Sequence, residues 1–286
     1  MIYLKRLVLI FMILFAFTNT QAESKKFNMV FVPASEKGDE SDYASLIRIV
    51  EDLTGFEINT IKVTDYNAAV EAMRAGRADI AWYGGKTYIK AAEIADAEAF
   101  AAGVRPGEKD AGYFAYFVVK KDSKIKKFSD IKGKVLSLNS IGSTSGDLIP
   151  QVELAKINLS ITNENDFKNV FYAGSHDACL LAVINNKSDV CGMSSRNFDA
   201  RLADNTFKKE QVRIIHISDR VPPPPLAYSK KIPLEDRKKI KEAVLEAHKH
   251  GKISGYGGKM SHYISVKDSD YDVLRKVVAL LKKNKS

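Results

Sequence analysis

Three hydroxyl side chains stand in a row at Ser143-Thr144-Ser145, with Gly146 after them. The stretch follows an apolar, strand-like run over residues 135–138 and precedes a helix-like run over residues 148–157. A strand-to-helix turn of this kind aims hydroxyls and unpaired backbone N–H groups at one point, where the helix dipole favours negative charge. The chemistry on offer is oxyanion binding. Ser and Thr are also the ordinary residues of a helix N-cap, so capping alone is the competing account of the same residues.

Three tyrosines stand at strand ends or helix starts: Tyr66 in Thr64-Asp65-Tyr66, Tyr83 in Trp82-Tyr83-Gly84, and Tyr113 in Gly112-Tyr113-Phe114. Each offers an O–H donor to an anion oxygen and an apolar face to an organic substituent. His176 opens a helix-like run directly after a strand, where it can donate to an oxyanion with a charge that responds to pH near neutrality. The other four histidines show no metal-ligand spacing, and two cysteines 12 positions apart make no zinc site, so no metal and no cofactor is expected. There is no Gly-x-Ser-x-Gly elbow, Walker loop or His-Glu-x-x-His segment. Ser143 and His176 lack a third orienting group, which argues against an enzyme.

These groups need a scaffold and a compartment. The first 22 residues carry Lys5 and Arg6, an apolar core over 7–17 and a small-residue exit ending at Ala22, the pattern of a cleavable secretory signal. The expected product is a soluble periplasmic protein. The net charge of +9 becomes roughly +7 once the two basic residues of the signal are removed. An exported protein meets little nucleic acid, so that charge points to small anions or to solubility. Cys179 and Cys191 permit one disulfide in an oxidising compartment, and both also suit burial as thiols.

Strand-like and helix-like runs alternate along the chain, which predicts an α/β protein with mainly parallel sheets and flanking helices. Strands are expected over 28–32, 57–63, 79–83, 113–120, 135–138, 170–173, 189–193 and 212–217. Helices are expected over 43–53, 66–75, 87–95, 145–157, 176–186, 234–250 and 271–282. The four prolines at 222–225 read as a stiff connector, since proline fixes φ and lacks an N–H. The expected division is a signal at 1–22, one lobe from 23–116 with 220–286, and a second lobe from 117–219. Two connections join the lobes as a hinge, with the cleft at the carboxyl ends of the strands.

Taken together, Asp65-Tyr66, the 79–84 segment, Gly112-Tyr113, Ser143 to Gly146, the 173–178 segment and Asp189-Val190 resemble the substrate-binding proteins of phosphonate, phosphite and phosphate ABC importers. That family has the two-lobed type II periplasmic binding fold. The resemblance implies that Ser143, Thr144 and Ser145 grip the phosphorus oxygens, that Tyr66 and Tyr113 close from the other lobe and hinge, and that His176 completes the shell. It implies a monomer that hands its anion to a membrane permease. A sensor protein feeding a histidine kinase and an exported phosphatase are the alternatives. Two departures stand out. Members that take an aminophosphonate carry a glutamate where this chain has Arg196, and the family has an acid where this chain has Pro224. Without those acids an ammonium loses its counter-charge, whereas a more anionic ligand, or one with a second acid group, gains Arg196 as a partner.

Overall fold

A computed structural model describes residues 24–36 and 39–283 of the 286. The expected signal at 1–22 lies outside the described residues. The first sheet has six strands in the order β13-β4-β10-β3-β1-β2. Its members are β1 (Lys26–Phe31), β2 (Glu57–Ile61), β3 (Ile80–Trp82), β4 (Ala97–Val104), β10 (Leu226–Ser229) and β13 (His262–Ser265), while β11 (Ile253–Gly255) and β12 (Gly258–Met260) pair as a separate hairpin. The second has five strands in the order β7-β6-β8-β5-β9: β5 (Ala115–Lys120), β6 (Val135–Leu138), β7 (Asn169–Tyr172), β8 (Val190–Ser194) and β9 (Val212–Ile217). From the pairings, β1 to β4 run one way while β10 and β13 oppose them, and in the second sheet only β5 opposes the other four. The sheets are therefore mainly parallel. Each has a reversed strand, β10 or β5, inserted next to its third parallel strand, and the first sheet ends on a second reversed strand, β13.

The described helices are α1 (Asp39–Thr54), α2 (Tyr66–Arg74), α3 (Gly85–Ile94), α4 (Ile149–Lys156), α5 (His176–Ile184), α6 (Ser195–Ala203), α7 (Leu234–Glu246) and α8 (Asp272–Lys283). Their starts follow from local chemistry. Asp65 accepts the Ala68 N–H at 2.9 Å to cap α2, Ser175 accepts that of Ala178 at 3.0 Å to cap α5, and Ser194 accepts that of Arg196 at 3.2 Å to cap α6.

The second sheet buries both faces. Phe117 and Val119 pack with Leu136, Leu138 and Leu154 on one side, and Val118, between them in sequence, packs with Cys179, Leu180 and Met193 on the other. Cys179 and Cys191 form a disulfide, with Cα atoms 5.6 Å apart, that ties α5 to β8. The hinge strands run side by side: Tyr113 and Val221 exchange backbone hydrogen bonds of 3.1 and 2.8 Å, and the Ser218 N–H donates to Ala115 O at 2.9 Å. The proline run keeps its carbonyls in use, since Pro225 O accepts from the Tyr83 N–H and Pro223 O from the Tyr271 hydroxyl, both at 3.0 Å.

Candidate functional site: an anion cradle between the lobes

The turn after β6 enters α4 through one π-helical turn, Thr144–Leu148. The Leu148 N–H reaches back five residues to Ser143 O at 3.2 Å, and that of Ile149 does the same to Thr144 O. Pro150 explains the wider turn. A regular helix would bring the N–H of residue 150 to Gly146 O, but proline has none, and the Asn139 N–H takes that carbonyl instead at 2.9 Å. Ser143 caps the turn by accepting the Gly146 N–H at 3.0 Å. Capping and anion binding are thus compatible, because the cap uses a lone pair of Ser143 and leaves its proton.

The opposite lobe closes onto this turn. The Lys86 N–H donates to Thr144 Oγ1 at 2.9 Å, and Thr87 Oγ1 donates to Gly142 O at 2.8 Å. The Lys86 ammonium reaches Ile141 O and the Asp147 carboxylate. Asn139 Nδ2 donates to the Tyr66 hydroxyl at 3.2 Å, and the His176 N–H donates to Ala34 O at 3.2 Å. No side chain fits at the two glycines of the turn. A Cβ on Gly142 would lie 2.2 Å from Tyr66 Cβ, and one on Gly146 would lie 2.3 Å from Asn139 Cβ and 2.9 Å from His176 Cε1.

Tyr66, Tyr113, Ser143, Thr144, Ser145 and His176 come together here, all nearly devoid of solvent exposure. Burial, the largest effect, raises the Tyr113 pKa, and the nearby Ser145 and Thr144 hydroxyls oppose it. His176 Nδ1 accepts the Ser194 N–H at 3.3 Å. A backbone N–H can only donate, so the ring proton of the neutral imidazole sits on Nε2, as a donor. Burial pushes the His176 pKa down to about 3. The expected titration near neutrality is thereby corrected: the ring is a fixed neutral donor, because desolvation penalises its charged form.

Two of the residues singled out from sequence behave differently. Tyr83 is not brought to the hydroxyl cluster. Its O–H donates to Ala69 O at 3.2 Å within the first lobe, and the side chain is fully buried core. Arg196 is not on the surface, and its Nη2 is already engaged within the protein, while its buried Nε has no hydrogen-bond partner. Its Nη2 donates to Gly103 O at 3.2 Å, Ala111 O at 2.8 Å and Glu108 Oε2 at 3.2 Å. The side chain thus ties α6 to the end of β4 and the hinge. Burial lowers its pKa while Glu108 opposes that, and its positive charge is felt at Tyr113. Beyond Tyr113 lies an aromatic wall, with Tyr256 set edge-on to it at 6.5 Å and Trp82 at 4.6 Å from Tyr256.

Sequence reasoning missed Asn139, Lys86 and Ser194. Asn139 and Ser194 each stand at the carboxyl end of a β-strand and Lys86 in the first turn of a helix, the places from which the recognised residues also come.

The fold is that of a two-lobed protein whose buried polar centre, a cluster of hydroxyls with His176, stands at a helix entrance. Residues 29–271 match the family model described as ABC transporter, phosphonate, periplasmic substrate-binding protein, and the chain belongs to that family. The phosphonates-binding periplasmic protein of Escherichia coli (strain K12) is 28% identical over 228 residues, covering 78% of this chain and 66% of its own length. The chain thus spans just under two thirds of that relative. A binding protein component of an ABC phosphonate transporter from Pseudomonas aeruginosa superposes with a TM-score of 0.80 at 22% identity, covering 92% of this chain and 88% of its own. A Prochlorococcus marinus (MIT 9301) protein solved in complex with methylphosphonate superposes with a TM-score of 0.77 at 20% identity, covering 91% of this chain and 99% of its own.

Proposed function

We propose that this protein captures a phosphorus oxyanion, a phosphonate, phosphite or phosphate, in the seam between its lobes and delivers it to a membrane ABC permease. The lobes in this reading are residues 23–116 with 220–286 and residues 117–219, released as a soluble periplasmic monomer after removal of residues 1–22. One observation carries the reading: the hydroxyls of Ser143, Thr144, Ser145, Tyr66 and Tyr113 and a neutral His176 converge, buried, at the π turn that leads into α4. The names of the Escherichia coli relative and of the methylphosphonate complex support phosphonate as the first ligand to try.

The same geometry disfavours a hydrolase. His176 Nδ1 is taken by the Ser194 N–H, so the ring presents a proton and no lone pair to a serine. It also disfavours an aminophosphonate, because Glu108, the acid beside Arg196, is already paired with it. The test is a thermal-shift series over methylphosphonate, phosphite, phosphate, 2-aminoethylphosphonate and sulfate. Methylphosphonate, phosphite or phosphate should raise the melting temperature, by an amount that grows with anion concentration, and the aminophosphonate should raise it least among the phosphorus compounds. No shift with any phosphorus anion, or release of inorganic phosphate from a chromogenic ester, would sink the reading.

A further inference from the structure

Asn139 belongs to none of the motifs that mark the site, yet it stands between hydroxyls of opposite lobes. It follows β6 directly and has no solvent exposure. Its Nδ2 donates to the Tyr66 hydroxyl at 3.2 Å and to Ser143 Oγ at 3.3 Å, while its Oδ1 is buried with no hydrogen-bond partner. A hydroxyl has one proton and two lone pairs. Ser143 Oγ accepts from Asn139 and also from the Gly146 N–H at 3.0 Å, so both lone pairs are used and its proton is what it has left to give.

We propose that Asn139 is a positioning residue of the oxyanion site, holding the Tyr66 and Ser143 hydroxyls as acceptors so that their protons face the bound anion. The proposal rests on the cleft being an oxyanion site. Accepting from the amide polarises each O–H and makes it a better donor. The bond to Ser143 lies within one lobe and that to Tyr66 bridges the two, so the Tyr66 hydroxyl is set only when the lobes close. An aspartate would do the reverse, because a carboxylate would accept from both hydroxyls and turn their protons away from the ligand. A buried amide with an unpartnered carbonyl costs stability, so a residue chosen for packing alone would be apolar here.

A double-mutant cycle tests whether Asn139 acts through those hydroxyls. Binding of methylphosphonate, or of inorganic phosphate if that is the anion that stabilises the unaltered protein, is measured by calorimetry, with melting shifts at millimolar anion for weak variants. Asn139→Ala should weaken binding about tenfold in the otherwise unaltered protein, a loss typical of hydrogen bonds to a charged group. In the Tyr66→Phe/Ser143→Ala background the same change should cost less than about twofold, since the groups it orients are gone. An equal loss in both backgrounds, which a direct ligand contact or a purely structural role would give, overturns the proposal, as does no loss in either. If Asn139→Ala does not fold, Asn139→Leu keeps the volume and is put through the same cycle. An unaltered protein that binds none of these anions refutes the oxyanion reading itself, an outcome distinct from a failed cycle.

Discussion

At the scale of single residues, the donors are set by what each side chain has already given away. Ser143 spends lone pairs on the helix cap and on Asn139, and His176 spends Nδ1 on Ser194, so both have a proton to offer an oxyanion. Replacing Ser143 and Ser145 by Ala should cost about 1.5 to 3 kcal/mol of binding per hydroxyl, with the unliganded melting temperature lowered only by the loss of the Ser143 cap, about 1 kcal/mol. Unchanged affinity by calorimetry would reduce the motif to a cap. For His176 the pH sign follows from its two states. The ring titrates near 6.5 when exposed and at about 3 when folded, so between these values the unfolded chain holds a proton that the native protein does not. Stability is therefore full above pH 6.5 and falls on acidification, by up to about 1.4 kcal/mol per pH unit. His176→Asn should flatten the unfolding free energy measured in denaturant between about pH 4 and 6. A slope as steep as that of the unaltered protein would mean that other groups set it. That the hydroxyl row and His176 lie together was legible in the sequence because strand-to-helix junctions gather at the carboxyl ends of the strands in this topology. Tyr83 was misjudged because a strand-end tyrosine reads the same whether its hydroxyl turns to the cleft or, as here, to a helix carbonyl. A lone Asn after a strand looks like a turn residue, which hid Asn139.

At the scale of elements, the π turn is what makes the cradle wider than an ordinary helix start. Its cause is one proline, so Pro150→Ala is the informative change. The new N–H would compete with that of Asn139 for Gly146 O and favour regular α geometry. Anion affinity should fall by about 1 kcal/mol, the worth of a disturbed hydrogen bond, while the unliganded melting temperature holds or rises. Equal affinity would show that the wider turn is incidental. The elements themselves were only partly legible. Helices α1 to α3 and the strands of the second sheet follow the periodicity read from the sequence, with ends displaced by a few residues. β4 escaped notice because Ala97–Val104 is half alanine, which carries no strand propensity of its own, and the segment is a strand here because it is enclosed between β10 and β13. β10 was hidden behind the prolines, and α6 by a start, Ser195-Arg196-Asn197, that favours caps and turns until the Ser194 cap and the buried Arg196 fix it.

At the scale of the whole molecule, closure is held from both rims of the cleft. On one rim Arg196 and the 3.1 Å Arg105–Asp199 pair tie α6 to the first lobe. On the other, Lys86 reaches across to Asp147, which is buried, while Lys86 keeps 25% of its side-chain surface exposed. The asymmetry decides what happens on opening. Asp147 Oδ1 also accepts from the Tyr172 hydroxyl at 2.7 Å and from Gln151 Nε2 at 2.6 Å, both within its own lobe. When the lobes part, the carboxylate keeps those donors and Lys86 regains water, so neither group is orphaned. The pair therefore biases the hinge without being needed for either lobe to fold. Lys86→Met retains the apolar stem and removes the charge. It should shift the open–closed balance by about 1 kcal/mol, roughly fivefold in population. The unliganded variant should show a larger radius of gyration by small-angle scattering, and a correspondingly weaker affinity for methylphosphonate, with a melting temperature close to that of the unaltered protein. Scattering indistinguishable from the unaltered protein, together with unchanged affinity, would mean that the pair forms only after the anion has already drawn the lobes together and that the Arg196 rim sets the balance alone.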